Sequence, residues 1–166
     1  MDRAVQQVVQ EISLAATSSV DVPISIPGEE TLWTDQLELM IVTEWQGDMR
    51  ILGREVSFST RLEPTETDNG IDDDDDGLVD EYELIATYDP NGTSPLTRVL
   101  ATGVLEFFPG ETSDGIDENG NGLLDEHGFN FSIDQDVLSI RLAMGTQLPG
   151  GEVATRESTV NIVLRN

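Results

Sequence analysis

The chain has 166 residues and a formal charge of −25, because 33 acidic residues stand against 8 arginines and there is no lysine. A surface this negative repels phosphate, which excludes nucleic acids and anionic lipid headgroups as electrostatic partners. The absence of cysteine excludes disulfides, iron–sulfur clusters and thiolate-bound zinc. The apolar runs, such as 39–42, are too short to span a bilayer.

The N-terminal segment, residues 1–20, is predicted to form an amphipathic helix. Between Arg3 and Ser18 apolar residues recur at helical spacing, and glutamines occupy the opposite side. The apolar stripe consists of Val5, Val8, Val9, Ile12, Ala15 and Ala16. Such a stripe usually packs on the chain's own sheet.

Residues 21–166 are predicted to form a β-rich domain, because their apolar residues alternate with a period of two. The predicted strands cover residues 36–45, 55–62, 82–88, 99–108, 129–133, 138–142 and 158–165, with turns at 46–48, 89–92 and 149–151. The predicted fold class is therefore α+β, with one N-terminal helix packed on antiparallel sheet.

Sixteen of the acidic residues fall into two clusters, ten between Glu66 and Glu83 and six between Glu111 and Glu126. The clusters align at an offset of 45 residues, so that GIDDDDDGLVDE at 70–81 matches GIDENGNGLLDE at 115–126. A disordered acidic tract has no reason to keep Gly, Ile and Leu in register with alternating Asp or Asn. We therefore interpret the clusters as two copies of one loop, at 68–83 and 113–128.

The spacing within each loop indicates a cation site. Oxygens at loop positions 1, 3 and 5 converge when the chain winds around a cation, Gly at position 6 permits the turn, and the carbonyl at position 7 points inward. The predicted ligands at these positions are Asp72, Asp74, Asp76 and the Leu78 carbonyl, and then Asp117, Asn119, Asn121 and the Leu123 carbonyl.

The sequence offers two positions for the carboxylate that closes each loop around the ion, position 12 and position 9. Only the first loop satisfies the EF-hand pattern, with Glu83 at position 12, because Gly128 stands there in the second. Both loops carry an acid at position 9, which favours a shortened loop closed by Asp80 or Asp125, with Glu83 or Glu126 as a further ligand.

The predicted cofactor is Ca²⁺ at two sites. Flexible oxygen ligands suit Ca²⁺ better than Mg²⁺, and zinc is disfavoured because neither ligand set contains His or Cys. Among the shared ligands the first loop has four carboxylates and the second two, so the first is expected to bind more tightly. Predicted strands flank both loops, so each loop is expected to form the tip of a hairpin, which argues against a helix-pair switch.

Enzymatic activity is not expected. No nucleophile elbow, phosphate-binding loop or dinucleotide fingerprint is present. The single histidine, His127, follows the second loop and is interpreted as a turn residue. Three acids on predicted strands, Glu38, Glu44 and Glu106, could form a glycosidase-like pair, but solvation of strand edges explains them equally well.

The order of the elements resembles type IV pilin-like minor subunits, in particular the minor pseudopilin J of type II secretion and PilW-type relatives. The elements that carry this resemblance are the N-terminal helix, Leu32-Trp33, the runs 55–62 and 96–107, and the end at 160–166. The prepilin leader and the apolar half of the helix that define the family are absent from this sequence. The acidic loops are similar to the thrombospondin type 3-like repeats of bacterial surface proteins.

The resemblance implies a non-catalytic minor subunit at the tip of a pilus or pseudopilus, acting in assembly or protein secretion. Other pilin subunits would pack against Val5, Val8, Val9 and Ile12, and a missing N-terminal segment would anchor the protein in the inner membrane, with this domain in the periplasm or outside the cell. The alternative is a calcium-binding β-rich extracellular module for adhesion or carbohydrate binding.

Overall fold

The computed structural model describes residues 3, 6, 9, 10, 33–47, 49–134 and 137–163. Eight strands make up most of the described chain. They are β1 (Trp33–Thr34), β2 (Leu37–Gln46), β3 (Met49–Leu62), β4 (Tyr82–Tyr88), β5 (Leu96–Val104), β6 (Phe129–Asp134), β7 (Val137–Gln147) and β8 (Val153–Val163).

All eight strands join one antiparallel sheet in the order β1-β6-β7-β5-β4-β3-β2, with β8 paired to β7. β7 pairs with three other strands, β5, β6 and β8. Along one edge it pairs with β8 over its whole length, from Val137 opposite Val163 to Gln147 opposite Val153. Its other edge pairs first with β6 and then, at Met144, with Val104 of β5. These pairings bend the sheet until it is nearly closed.

The hydrophobic core lies within this nearly closed sheet. Alternate residues of the strands point inward, as the period-two pattern requires, and Phe58, Phe129 and Phe131 are fully buried. Phe129 and Phe131 meet edge to face, with ring centroids 4.8 Å apart. The remaining core side chains include Leu37, Leu39, Val56, Leu84, Leu138, Ile140 and Leu142.

The prediction of an α+β, pilin-like fold is wrong. Strands account for 52% of the residues and helix for 3%, and no helix is defined as an element in the described ranges. Arg3, Gln6, Val9 and Gln10 are helical, but they are the only described residues before Trp33. The physical reason is that the described strands pair into one nearly closed sheet, and this sheet encloses the core that the prediction placed between a helix and a sheet.

The predicted partner surface on the N-terminal helix is also wrong. It required a helix that presents Val5, Val8, Val9 and Ile12 to other subunits, and the described residues form no such element. Val9 is partly buried and packs against the chain's own core. The other three residues lie outside the described part of the chain. The helices of the described part contain no stretch with the length and hydropathy needed to cross a membrane.

The two acidic loops lie at the same end of the sheet but connect their strands in different ways. The first connects β3 and β4, which pair with each other from Leu62 opposite Tyr82 onward. The second connects β5 and β6, which both pair with β7. A single bridge between Phe107 and His127 closes its base. The second loop therefore connects two strands that pair with β7 and not with each other. The prediction of a hairpin at the second loop is wrong.

Gly128 stands where the second loop rejoins the sheet. Its N–H donates to the Glu106 carbonyl over 3.0 Å and its carbonyl accepts from the Ala143 N–H over 2.6 Å. A Cβ at this position would collide with the carbonyl oxygen of Leu105. The sequence uses glycine here because two backbone segments pass too close for a side chain.

Gly128→Ala is expected to lower the free energy of unfolding by about 1–3 kcal/mol, because the backbone must shift to admit the methyl group. Gly150→Ala is the matched control, since a Cβ there meets no atom within 4 Å. Urea unfolding of both variants measures the difference. Equal stabilities would contradict the close approach of Gly128 to Leu105.

Candidate metal centre

Both acidic loops are built on one backbone frame, repeated at the 45-residue offset. The N–H of Glu63 donates to the carbonyl of Glu81 over 3.0 Å, and the equivalent bond from Phe108 to Glu126 is 2.8 Å. Each bond thus joins the backbone before a loop to position 10 within it. The sequence repeat is therefore a structural repeat, which extends from residue 63 to 81 and from 108 to 126.

The first aspartate of each loop fixes the turn at its glycine. Asp72 accepts a hydrogen bond from the Gly77 N–H over 2.8 Å, and Asp117 accepts one from the Gly122 N–H over 2.8 Å. Both glycines are in the left-handed region, at φ values of +90° and +87°. This backbone conformation costs little for glycine, which explains why position 6 is Gly in both loops.

A buried glutamate beneath each loop supports its backbone. Glu66 accepts hydrogen bonds from the N–H groups of Asp73 and Asp80, over 3.2 Å and 3.3 Å. Glu111 accepts from Asn119 over 3.0 Å and from Asp125 over 3.1 Å. Burial raises the pKa of Glu111, against the opposing effect of the Asn119 N–H. Sequence reasoning assigned neither glutamate to the site, although both match in the repeat.

Carboxylates converge in the first loop in two overlapping groups. Oxygens of Glu66, Asp72 and Asp74 lie within 4.8 Å of one another, and so do oxygens of Asp74, Asp76 and Glu81. Like charges at this separation repel strongly unless a cation lies between them. These acidic clusters are therefore suited to bind a metal ion, and they contain all three predicted aspartates of loop positions 1, 3 and 5.

Glu81 is the residue that points most directly to a cation. It is 1% exposed, and neither of its carboxylate oxygens receives a hydrogen bond from the described part of the chain. Burial raises its pKa to about 7, and the neighbouring charges of Asp76, Glu66 and Glu63 add to this increase. An ionised carboxylate in such surroundings needs a positive partner.

Glu126 occupies the equivalent position in the second loop. It is fully buried, and its Oε2 atom has no hydrogen-bond partner among the described residues. Its Oε1 atom accepts a hydrogen bond from the side-chain amide of Asn121. Position 10 therefore faces the side chain of loop position 5 in both loops, Asp76 in the first and Asn121 in the second. Of this pair the sequence prediction included Glu126 and omitted Glu81.

The position-9 acids have another set of contacts. Asp80 accepts hydrogen bonds from the N–H groups of Asn69 and Gly70, over 3.0 Å and 2.6 Å. Asp125 accepts from Asp114 over 3.0 Å and from Gly115 over 2.9 Å. Their carboxylates therefore tie the beginning of each loop to its end. Their predicted role as metal ligands stays a prediction.

Glu83 and the two leucines complete the predicted ligand set. Glu83 forms an ion pair with Arg61 of β3, with Oε2 2.6 Å from the Arg61 Nη2 atom, and does not join the carboxylate groups. Leu78 and Leu123 bury their side chains, at 5% and 1% exposure. This anchoring fixes the backbone at position 7, where the carbonyls of both residues remain the predicted ligands.

An aromatic cluster closes the base of the second loop. The Trp33 indole N–H donates to the Leu124 carbonyl over 2.6 Å. The His127 ring lies between Trp33 and Phe107, with centroids 5.1 Å and 5.6 Å away. His127 Nδ1 is 3.1 Å from a carboxylate oxygen of Asp35, and this contact lowers the pKa of Asp35. These contacts fasten β1 to the second loop and give His127 a packing partner on each side.

Two of the acids considered for catalysis, Glu38 and Glu106, do not join the loop clusters. Within the described residues, no group of three closely spaced carboxylates includes Glu38 or Glu106. Burial raises the pKa of Glu106, and Asp68 and Asp80 add to this effect. A prediction of enzymatic activity gains no support from this arrangement.

No protein-family model matches the chain, and neither the curated proteins nor the solved structures yield a significant match. The resemblance to pilin-like minor subunits is wrong, because the described residues form a nearly closed antiparallel sheet and no helix element packed on it. The similarity of the loops to thrombospondin type 3-like repeats has no family match either. The function must be inferred from the geometry of the two loops.

Proposed function

We propose that this protein is a non-catalytic β module that binds Ca²⁺ in its two acidic loops and uses the ions to stabilise one end of its sheet. The observation that carries the proposal is the pair of buried glutamates, Glu81 and Glu126, each with carboxylate oxygen that lacks a hydrogen-bond partner in the described structure. A buried carboxylate without a partner is expensive, and the protein has two of them in equivalent places.

The oxygen ligands that the two loops offer favour Ca²⁺ over other metal ions. In the first loop all the converging groups are carboxylates, and in the second the amides of Asn119 and Asn121 take two of the positions. Oxygen donors on a winding backbone suit Ca²⁺, which accepts six to eight ligands in flexible geometry. Magnesium requires a near-ideal octahedron, and zinc prefers nitrogen and sulfur.

The location that suits such sites is outside the cytoplasm. Structural Ca²⁺ sites of extracellular modules work at dissociation constants of about 10⁻⁴–10⁻³ M, and binding only the folded state adds stability by mass action. A role in adhesion or carbohydrate binding stays a prediction. We do not propose the pilus or secretion role, because the fold on which it depended is not present.

A thermal melt in CaCl₂ and in chelator tests the proposal. When Ca²⁺ is about a hundredfold above the dissociation constant, each site adds about 2.7 kcal/mol, which corresponds to an increase of roughly 5–10 °C in Tm for a chain of this size. The double variant Asp72→Asn, Asp117→Asn should lose this increase. MgCl₂ at the same concentration should raise the Tm of the wild-type protein by less than CaCl₂ does.

The result that would overturn the proposal is a wild-type melting temperature that is the same in CaCl₂ and in chelator. The variant Glu38→Gln is the matched control, because Glu38 lies on β2 outside the carboxylate groups. It should keep the full response to Ca²⁺. This control separates a specific site from a general effect of cations on a chain of charge −25.

A further inference from the structure

The two loops differ at position 5, although the local geometry there is the same. Asp76 accepts a hydrogen bond from the Leu78 N–H over 2.9 Å, and Asn121 accepts one from the Leu123 N–H over 2.8 Å. In both loops this bond fixes the orientation of the head group. The second atom of the head group is therefore an oxygen in Asp76 and an NH₂ in Asn121.

That second atom decides whether the buried glutamate of the loop, Glu81 or Glu126, faces a negative oxygen or a hydrogen-bond donor. In the first loop, oxygens of Asp76, Asp74 and Glu81 lie within 4.8 Å of one another, and none of the three side chains has a proton to donate when ionised. In the second loop the Asn121 amide donates to Oε1 of Glu126. The positive end of an amide dipole thus lies beside Glu126, at a place where the first loop has only negative charge.

This inference rests on the proposed binding of Ca²⁺. We infer that the Asn121 side-chain amide substitutes for the cation in the second loop, so that this loop closes without Ca²⁺ whereas the first loop closes only around the ion. The first loop is then the site through which Ca²⁺ controls folding. In the second loop an incoming ion must displace the amide from Glu126, which lowers the affinity beyond the effect of ligand charge alone.

Two buried carboxylates point to a ligand independently of the acidic character of the loops. Glu81 and Glu126 are each at least nine-tenths buried and have unpartnered oxygen in the described structure, two for Glu81 and one for Glu126. The difference between the two counts is the atom that Asn121 satisfies. The remaining free oxygen of Glu126 still offers a ligand, so the second loop keeps a weak site.

Exchange of the two residues tests the inference. Asn121→Asp is measured in the Asp72→Asn background, where the first loop is impaired, and Asp76→Asn in the Asp117→Asn background. Calorimetric titration with CaCl₂ should show that Asn121→Asp raises the affinity of the second loop about tenfold or more, and that Asp76→Asn lowers that of the first by a similar factor. The parent Asp72→Asn and Asp117→Asn variants are the references.

Urea unfolding in chelator supplies a second readout that does not depend on bound Ca²⁺. Asp76→Asn should raise the midpoint, because it gives Glu81 a hydrogen-bond donor, and Asn121→Asp should lower it. Should Asn121→Asp unfold in chelator, the rise for Asp76→Asn still decides the question. Unchanged midpoints and affinities in both exchanged variants would overturn this inference alone. A wild-type protein that binds no CaCl₂ would overturn the proposed function.

Discussion

Replacing Glu81 with Gln should lower the affinity of the first loop for Ca²⁺ by about a hundredfold or more. The substitution keeps the shape of the side chain but removes the charge of a buried carboxylate that lies within 4.8 Å of Asp74 and Asp76. Loss of a group that only supports a ligand typically costs 10–100-fold in metal affinity, and a direct ligand should cost at least as much. Titration with CaCl₂ in the Asp117→Asn background measures the first loop by itself.

The same substitution should stabilise the protein in chelator. Both oxygens of Glu81 lack hydrogen-bond partners in the described structure, so its ionised form is disfavoured in the folded state when no cation is present. A neutral amide avoids this penalty and can donate to Asp76. Opposite effects of one substitution, on affinity and on cation-free stability, are the signature of a metal ligand. A residue that only packs would lower both.

Glu83→Gln is the matched control, two residues further along the same segment. Glu83 is paired with Arg61, whose side chain is 49% exposed, and it was the ligand that the EF-hand spacing favoured. Its replacement should leave the Ca²⁺ affinity nearly unchanged, and any loss of stability from the broken ion pair should be the same in CaCl₂ and in chelator. A large loss of affinity in Glu83→Gln, with none in Glu81→Gln, would mean that Glu83, at position 12, closes the first loop around the ion.

The sequence predicted the position of the loops because their repeat is encoded locally. Gly77 and Gly122 mark the turns, and Asp72 and Asp117 hold them through side-chain bonds to nearby N–H groups. Such contacts span only a few residues, so spacing alone indicates them. The repeat also paired Glu81 with Glu126, which was a usable signal. The spacing favoured the acid at position 9 instead, with Glu83 or Glu126 as a further ligand, and the burial of Glu81 becomes visible only once the strands are paired.

The fold could not be predicted to the same extent, because its closure depends on contacts between distant residues. The alternation along β3 and β4 indicates strands, but it does not say that Met144 of β7 pairs with Val104 of β5. The apolar stripe near the N-terminus likewise reports amphipathicity and not a packing partner. The prediction places this stripe on a separate helix layer, whereas the described strands enclose the core in a sheet that bends back on itself through β7.

Leu78→Ala should lower the free energy of unfolding by about 2–5 kcal/mol, the usual cost of removing a buried leucine side chain. Leu78 is 5% exposed and anchors the first loop to the end of β7. A Cβ placed on Gly145 would lie 2.6 Å from the Leu78 Cδ2 atom, and one placed on Gly103 would lie 3.4 Å from Cδ1. Because both neighbours are glycines, no side chain of theirs can move to fill the space that the leucine leaves.

Ile71→Ala in the same loop is the control, because Ile71 is 60% exposed and its replacement should change the stability by no more than about 0.5 kcal/mol. Leu78→Ala should also weaken Ca²⁺ binding at the first loop, since the predicted carbonyl ligand at position 7 belongs to the anchored residue. Calorimetry in the Asp117→Asn background checks this coupling.

Gly145→Ala provides a complementary test of the same contact. Alone, the added methyl group should clash with Leu78 and lower the free energy of unfolding by about 1–3 kcal/mol. Combined with Leu78→Ala, it enters the space that the leucine has left, so the double variant should lose less stability than the two single variants together. Residues in direct contact show such coupling, and distant residues do not. Simple additivity, measured by urea unfolding, would mean that Leu78 does not pack against Gly145 and that the first loop is held to the sheet by other residues.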